Sequence, residues 1–216
     1  MPLIVFEGPE GAGKTTQLRM LAEFLGAGGA QVVAVREPGG TPLGDEIRRL
    51  LLSPASDITP RAEGLLFMAS RAQLVEREIA PALARGATVL LDRFFLSTYA
   101  YQVAGRGLPH EQVDAANRLA TSGLRPDLTL LLTLPVDEGL ARAASRGPND
   151  RMEQADAAFH ARVARAFTEF ASDAWQQAHP EAGPIVTVDA RGSVDEVFAR
   201  VRAALTQDEK EHRMKG

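Results

Sequence analysis

The stretch LIVFEGPEGAGKTT, residues 3–16, decides the fold of this chain. It begins with a short apolar run, which is typical of a strand buried on both faces. The pattern G-x-x-x-x-G-K-T follows at residues 8–15 and matches a phosphate-binding loop of the Walker A type. Glycines in such a loop let successive backbone N–H groups point at phosphate oxygens, and the helix that follows adds the positive end of its dipole. The stretch therefore predicts a site for a nucleoside triphosphate.

Individual residues of this loop have separate predicted roles. Lys14 provides a mobile charge for the outer phosphates, and the Thr15 hydroxyl can bind Mg²⁺. Glu10 is unusual, because a carboxylate repels a triphosphate unless it points away. Two interpretations of Glu10 stay open: an exposed loop residue, or a contact with a hydroxyl group of a second substrate. The residues predicted to bind the triphosphate are Gly8, Pro9, Glu10, Gly11, Ala12, Gly13, Lys14, Thr15 and Thr16.

The bulk composition limits the possible partners. The chain has 216 residues, 45% of them hydrophobic and 24% charged, and fits one domain over 1–205 with a charged, frayed tail at 206–216. A formal net charge of −4 argues against broad binding to nucleic acid. The absence of cysteine excludes disulfides, thiolate zinc sites and a cysteine nucleophile. With no signal peptide and no apolar run of membrane length, we expect no membrane partner and a cytoplasmic location.

Short apolar runs alternate with helical patterns along the chain. This alternation predicts an α/β fold with a parallel sheet covered by helices on both faces, and ligands at the carboxyl ends of the strands. The five predicted strands are 3–6, 31–35, 87–91, 128–134 and 184–188. The predicted helices are 17–25, 43–52, 60–85, 94–104, 109–122, 135–145, 150–177 and 194–205. Pro81 is expected to kink or divide the third helix, and Asp150 with Glu153 resembles a capping box that opens the seventh.

Several side chains follow the predicted strands at the ligand-binding edge. Arg36 comes after the second strand and Arg93 after the third, where guanidinium groups suit phosphate recognition. Asp92 ends the third strand, the position of a Walker B carboxylate near Mg²⁺, although it could also cap a turn. Phe67 and Arg71 share one face of a helix. They could form a base-binding wall, but spacing alone favours a core phenylalanine beside a solvated arginine.

Three arginines lie close together near a Gly-Pro break, namely Arg142, Arg146 and Arg151. They fit a mobile basic lid at about 142–153 that closes over phosphates and stabilises the transferring phosphoryl group. The alternative is an ordinary solvated helix end. A GTP-binding switch is a rival use of the phosphate loop, but the chain has no Asn-Lys-x-Asp sequence for reading guanine.

Six stretches of the chain resemble, in their order and spacing, those of bacterial thymidylate kinases. They are GPEGAGKTT at 8–16, REPGGT at 36–41, LLFMASRAQ at 65–73, DRFFLSTYAYQ at 92–102, RPDLTLLL at 125–132 and the basic stretch at 142–153. The resemblance extends to about residue 205. It implies a P-loop nucleoside monophosphate kinase fold with a five-stranded parallel sheet, and a homodimer. It also implies transfer of the γ-phosphoryl group of ATP to dTMP with Mg²⁺, giving dTDP and ADP.

The resemblance assigns roles to residues that match its motifs. Phe67 would stack on thymine and Arg71 would bond its polar edge, while Arg36 and Arg93 would hold the dTMP phosphate and Glu10 would meet the sugar 3′-hydroxyl. The side chains that would line the nucleoside pocket are Ser97, Thr98, Tyr101 and Gln102, with Tyr101 crowding the 2′ position. Some family members carry an arginine within the phosphate loop. None stands between Gly8 and Gly13 here, so the resemblance implies that the lid supplies the catalytic cation.

The chemistry needs no strong general base, because the phosphate of dTMP is ionised at neutral pH. Catalysis then rests on positioning and charge neutralisation. Two other functions stay open at this point. One is a related kinase that acts on a different small acceptor, and the other is a nucleotide-binding subunit without catalytic activity.

Overall fold

Five parallel strands form the centre of the fold, in the order β2-β3-β1-β4-β5. The computed structural model describes the backbone of residues 2–144 and 150–215, and the side chains of these residues except 136, 140, 143–144 and 207–215. The strands are β1 (Leu3–Glu7), β2 (Val32–Arg36), β3 (Thr88–Asp92), β4 (Leu128–Thr133) and β5 (Ile185–Asp189). The α/β class and all five predicted strands are confirmed, each with ends within one residue of the predicted ones.

Helices cover both faces of this sheet. The α-helices are α1 (Lys14–Ala27), α2 (Pro42–Leu52), α3 (Pro60–Leu74), α4 (Ala80–Ala84), α5 (Phe95–Thr98), α6 (His110–Thr121), α7 (Val136–Ala144), α8 (Ala157–Glu169), α9 (Asp173–Ala178) and α10 (Val194–Lys215). Two π-helical segments, Val75–Ile79 and Tyr99–Gly105, join α3 to α4 and continue α5. Among the described helices, none combines the length and the apolarity that crossing a membrane requires.

The central strand β1 is buried on both faces, as its apolar sequence predicts. Leu3 and Val5 pack into the core cluster on one face of the sheet, and Ile4 and Phe6 into the cluster on the other. β1 pairs with β3 on one side and with β4 on the other, so the strand order reverses at β1. A crevice opens at the carboxyl end of the strands at such a point. The phosphate loop, which directly follows β1, lies at that crevice.

Four predicted helices differ in extent or continuity from the structure. The pattern over 60–85 breaks at Val75–Ile79, and Pro81 lies at the start of the short α4 that follows. Proline lacks the N–H that an α-helix needs, and the wider turns of a π-helix accommodate the interruption just before it. The predicted helix 94–104 is α-helical only over Phe95–Thr98 and then becomes π-helical. The last helix, α10, continues to Lys215 through the segment for which we predicted a frayed tail.

The capping box predicted at residues 150–153 forms but opens no helix. The Asp150 backbone N–H donates to Glu153 Oε2 at 3.0 Å, and the Glu153 N–H donates to Asp150 Oδ1 at 2.9 Å. These bonds close a single turn. α8 begins later, where Asp156 accepts from the Phe159 N–H at 2.7 Å, and α9 is separate from it. The second cap therefore sets the start of the helix predicted over 150–177.

Candidate active site

A cavity of about 300 Å³ opens at the carboxyl edge of the sheet, beside the phosphate loop. Most of the side chains that the sequence singles out line its wall. These residues are Glu10, Gly11, Gly13, Lys14, Thr15, Thr16, Arg36, Phe67, Arg71, Asp92, Arg93, Ser97, Thr98, Tyr101 and Gln102. The structure therefore brings together residues from four separate stretches of the sequence in one space.

The backbone of the phosphate loop needs its glycines. Gly8 and Gly11 have φ angles of 139° and 75°, which ordinary side chains rarely adopt. A Cβ atom at Gly8 would lie 2.3 Å from the carbonyl oxygen of Leu132, and one at Gly11 would lie 2.1 Å from that of Gly139. Residues 9–12 form a turn, in which the Ala12 N–H donates to the Pro9 carbonyl at 3.4 Å.

Lys14 is buried and folds back over the loop. Its Nζ atom donates to the carbonyl oxygens of Gly8 at 3.0 Å and Pro9 at 2.8 Å. The pKa of Lys14 is lowered to about 8, chiefly by burial and also by the nearby charge of Arg93, against the opposing effect of Glu10. A triphosphate in the loop would favour the charged amine, because it brings negative charge next to a desolvated cation.

Thr15 and Asp92 form the pair that the sequence predicts for Mg²⁺. The Thr15 hydroxyl donates to Asp92 Oδ2 at 2.6 Å, so two oxygen ligands lie side by side at the edge of the phosphate loop. Among the side chains that the structure describes, no group of three or more histidine, aspartate or glutamate residues could hold a metal ion. Mg²⁺ keeps several water ligands and binds through one or two protein oxygens plus substrate phosphates. The Thr15–Asp92 pair fits that requirement.

Glu10 turns towards the segment that follows β3, and its side chain is partly buried there. Its Oε1 atom accepts a hydrogen bond from Arg93 Nη2 and another from the Tyr101 hydroxyl at 3.3 Å. Arg93 also donates from Nη1 to Ser97 Oγ at 2.9 Å and to the Gly8 carbonyl at 3.3 Å. Burial lowers the pKa of Arg93, but the acidic groups around it, with Glu10 the foremost, together outweigh burial and raise that pKa. Of the two interpretations of Glu10, the uninvolved exposed residue does not fit these contacts.

Arg71 is anchored rather than solvated, with only 2% of its surface exposed. Its Nε donates to Glu37 Oε2 at 2.8 Å, its Nη1 to Asn117 Oδ1, and its Nη2 to the Phe94 carbonyl at 2.9 Å. Burial raises the pKa of Glu37, and the Arg71 charge opposes that shift. Phe67, one helical turn before Arg71, is only partly buried. Spacing alone favours a core Phe67 beside a solvated Arg71. The structure shows the reverse, a buried Arg71 beside a partly exposed Phe67.

Ser97 is held by a buried carboxylate that the sequence analysis missed. Glu7 Oε1 accepts from the N–H groups of Phe94 at 2.7 Å and Ser97 at 3.0 Å, and Glu7 Oε2 accepts from the Ser97 hydroxyl at 2.6 Å. Glu7 therefore accepts hydrogen bonds from N–H groups at the start of α5 that have no partner within the helix. Its negative charge also interacts favourably with the positive end of the helix dipole. Thr98 lies one residue further on and donates weakly to the Phe94 carbonyl at 3.4 Å.

Arg48 also lines the cavity and was not predicted. It is half-buried on α2 and donates from Nη1 to the Pro38 carbonyl at 3.0 Å. Burial lowers its pKa, and the charge of Arg36 lowers it further, so the two guanidinium groups face one region. Arg49 is exposed and pairs with Glu46 instead. Helical periodicity around Arg48 could have separated these adjacent arginines, because only Arg48 lies on the side of α2 that carries the buried Gly44, Ile47 and Leu51.

The lid arginines are less completely described. Arg142 Nη1 donates to the Ala190 carbonyl at 3.1 Å, after β5, and Arg146 lies outside the described residues. Arg151 Nε donates to the Leu51 carbonyl at 2.7 Å and its Nη2 donates to Glu63 Oε2, also at 2.7 Å. In the described part of the chain, Arg142 and Arg151 are not among the residues of the cavity wall.

Comparisons with known proteins agree with this site. Residues 6–201 match the family model described as thymidylate kinase. The thymidylate kinase of Deinococcus radiodurans is 48% identical over 204 residues, which cover 94% of this chain and 96% of that protein. The thymidylate kinase of a Pseudomonas fluorescens strain is 53% identical over 171 residues, which cover 79% of this chain and 81% of that protein.

A solved structure gives the same result at lower identity. The crystal structure of thymidylate kinase from Ehrlichia chaffeensis superposes with a TM-score of 0.73 at 30% sequence identity. The match covers 95% of this chain and 98% of the other. The family model, the similar sequences and the similar fold cover the phosphate loop and the cavity described above. This chain belongs to the thymidylate kinase family.

Proposed function

We propose that this protein phosphorylates dTMP with ATP and Mg²⁺, and so provides dTDP as a DNA precursor. The observation that carries the proposal is one cavity whose wall combines two chemistries. Lys14 and the loop amides, which we call the donor end, suit a triphosphate. Phe67, Arg71 and Gln102, which we call the acceptor end, suit a flat base with a polar edge.

The reaction needs in-line transfer of a charged group. A phosphate oxygen of dTMP forms a bond to the γ-phosphorus of ATP, and the bond from that phosphorus to the β–γ bridging oxygen breaks. The electron pair of the broken bond stays on ADP. Lys14 and the loop amides would hold the outer phosphates of ATP, while Arg36 and Arg93 would hold the phosphate of dTMP. Arg48 shares the wall with Arg36 and adds positive charge there.

Thr15 and Asp92 would hold Mg²⁺, with Asp92 binding directly or through water. The ion would neutralise charge on the β- and γ-phosphate oxygens when it is bound. The remaining positive charge would come from the lid, through Arg142, Arg146 and Arg151. Arg151 is bonded to Glu63 and Leu51, and Arg142 to the Ala190 carbonyl, so these bonds would have to open for either arginine to reach the phosphoryl group.

The nucleoside of dTMP would occupy the far end of the cavity. Phe67 would stack on thymine and Arg71 would donate to its polar edge. Ser97, Thr98 and Gln102 would line the pocket. Glu10 would accept from the 3′-hydroxyl, and Tyr101, which donates to Glu10 at 3.3 Å, would crowd the 2′ position.

We further propose a cytoplasmic homodimer in which the kinase domain spans 1–205. The support for a dimer is an exposed apolar side chain on each of two helices, α3 and α6, which pack against each other. Leu65 on α3 is 66% exposed and Leu119 on α6 is 84% exposed, the two highest values among the large apolar side chains described. Sedimentation of the protein with Leu65→Glu and Leu119→Glu should give a monomer. A dimer that persists would contradict this surface.

The substrate proposal is tested by a coupled assay for ADP release. The acceptors are dTMP, dUMP, dCMP, AMP and GMP. We expect rapid release with dTMP and slower release with dUMP. Release with another acceptor would favour a related kinase of different specificity. A chain that releases ADP with none of them would be a nucleotide-binding subunit without this activity.

A further inference from the structure

A buried carboxylate outside the cavity wall joins three segments of the chain. Glu63, in the first turn of α3, is 0% exposed. Its Oε1 accepts from Gln102 Nε2 and from Arg106 Nε, each at 3.1 Å. Its Oε2 accepts from Arg106 Nη2 at 3.0 Å and from Arg151 Nη2 at 2.7 Å. Both carboxylate oxygens of Glu63 thus accept hydrogen bonds from a guanidinium group.

This arrangement fixes the orientation of the Gln102 amide. The amide of glutamine has a donor end and an acceptor end, and its rotation exchanges them. Rotation of Gln102 would place its carbonyl oxygen against the oxygen of Glu63, where two acceptors repel. Gln102 is itself buried, and it lines the cavity. Its Oε1 has no hydrogen-bond partner among the described residues, so the carbonyl oxygen is the atom that remains for a bound base.

The orientation of this amide suits thymine and uracil but not cytosine. Thymine and uracil carry an N3–H donor beside the O4 acceptor. Cytosine carries an unprotonated N3 acceptor beside an N4 amino donor. Arg71 offers donors to the edge of the base, and a fixed Gln102 offers an acceptor. Cytosine would therefore meet like groups at both positions, and buried polar groups without partners are costly.

We propose that Glu63 is a positioning residue that determines base specificity. By holding the Nε2 atom of Gln102, it keeps an acceptor in place for the N3–H group of the base and so excludes cytosine. This inference rests on the proposed function, because it concerns the base of the same acceptor nucleotide. It assigns a role to a residue that touches no substrate.

The test is the variant Glu63→Gln, with kcat/KM measured for dTMP, dUMP and dCMP. A glutamine at this position can donate as well as accept, so Gln102 becomes free to rotate. We expect the preference for dTMP over dCMP to fall about tenfold. The preference for dTMP over dUMP should stay within about twofold, because both bases carry N3–H. An unchanged preference over dCMP, or an equal fall in both preferences, would overturn the proposal.

Two further variants separate orientation from general disruption. Arg106→Gln removes an ion pair of Glu63 but keeps the Glu63–Gln102 bond, and should leave the dTMP/dCMP preference within about twofold. In a Gln102→Ala background, Glu63→Gln should have no further effect on that preference, since no amide remains to be oriented. An additional fall in that background would mean that Glu63 acts in another way.

The charge-balanced double variant Glu63→Gln with Arg106→Gln carries the same test if Glu63→Gln alone fails to fold. The preference for dTMP over dCMP should again fall by about tenfold, and an unchanged preference would overturn the proposal. Failure of the inference and failure of the proposed function look different. If the unaltered protein does not prefer dTMP among the five acceptors, the function is wrong. If it does, and the variants keep the preference, only the role of Glu63 is wrong.

Discussion

The two ends of the cavity are built in different ways. The donor end is a backbone loop, shaped by Gly8, Gly11 and Gly13 with φ angles of 139°, 75° and 84°. The acceptor end is built from side chains, and buried glutamates hold three of them in place. The pairs are Glu7 with Ser97, Glu37 with Arg71, and Glu63 with Gln102. The contrast indicates that triphosphate binding depends on a local fold of the chain, whereas recognition of the acceptor depends on distant residues.

Loss of Lys14 should have the largest effect, and on the donor end alone. Lys14→Ala removes the charge that the loop places at the outer phosphates, so we expect kcat to fall by about 10²-fold or more. The dissociation constant of dTMP should change little. Arg19→Ala is a matched control, because Arg19 lies on the exposed side of the same helix and pairs with the exposed Glu23. Near-normal turnover of Lys14→Ala would contradict the role of Lys14.

Loss of Arg71 should affect only the acceptor end. In Arg71→Ala the polar edge of thymine loses its donor, at a cost of roughly 1–3 kcal/mol, or about 5- to 150-fold in the dissociation constant of dTMP. Calorimetric titration with dTMP and separately with an ATP analogue measures both ends. The affinity for the ATP analogue should stay the same. Arg118→Ala, which removes an exposed arginine paired with Asp114, serves as the control.

The pKa of Lys14 gives a pH test of the donor end. In the free enzyme this pKa is about 8, and a bound triphosphate raises it by favouring the charged amine. Well below pH 8 Lys14 is already protonated, so the ATP analogue binds without proton uptake by this amine. Above pH 8 the amine must first be protonated, and affinity for the ATP analogue should fall by up to about tenfold per pH unit.

Titrations of the ATP analogue from about pH 7 to about pH 9.5 test this dependence. The affinity for dTMP, measured in the same buffers, serves as the internal comparison. A constant affinity for the ATP analogue across this range would contradict the lowered pKa of Lys14.

The smallest expected effect concerns the sugar. Tyr101→Ala removes the ring that we place near the 2′ position, and the preference for dTMP over its ribose analogue should fall by about tenfold or less. The measurement is the ratio of kcat/KM for the two nucleotides. Ser122→Ala, at the end of α6, offers a control outside the cavity. An unchanged ratio would mean that another residue excludes the 2′-hydroxyl.

The difference between the two ends also explains what could be predicted from the sequence. The phosphate loop, the strand before it and the helix after it lie within 25 residues, and the strand and helix alternation follows from local periodicity. These features were predictable because each depends on near neighbours. Asp92 was predictable as the end of an apolar strand, whereas its bond to Thr15 depends on the pairing of β1 with β3.

The glutamates of the acceptor end gave no such signal. Glu63 looks like an ordinary acidic residue in the first turn of a helix, and Glu7 and Glu37 look like polar ends of strands. Glu37 is 34 residues from Arg71, Glu63 is 39 residues from Gln102, and Glu7 is 90 residues from Ser97 in the sequence. Without a local pattern, burial of a glutamate beside an arginine or an amide follows only from the packing of the whole domain.

The central claim is that buried glutamates organise acceptor recognition without contributing to triphosphate binding. The most direct measurement is the dissociation constant of dTMP for Glu37→Gln, which keeps the size of the side chain and removes the charge that orients Arg71. We predict binding about tenfold weaker than in the unaltered protein, with the affinity for an ATP analogue within about twofold. Glu46→Gln, which alters an exposed pair with Arg49, should change neither. An unchanged dissociation constant for dTMP, or an equal loss at both ends, would contradict the claim.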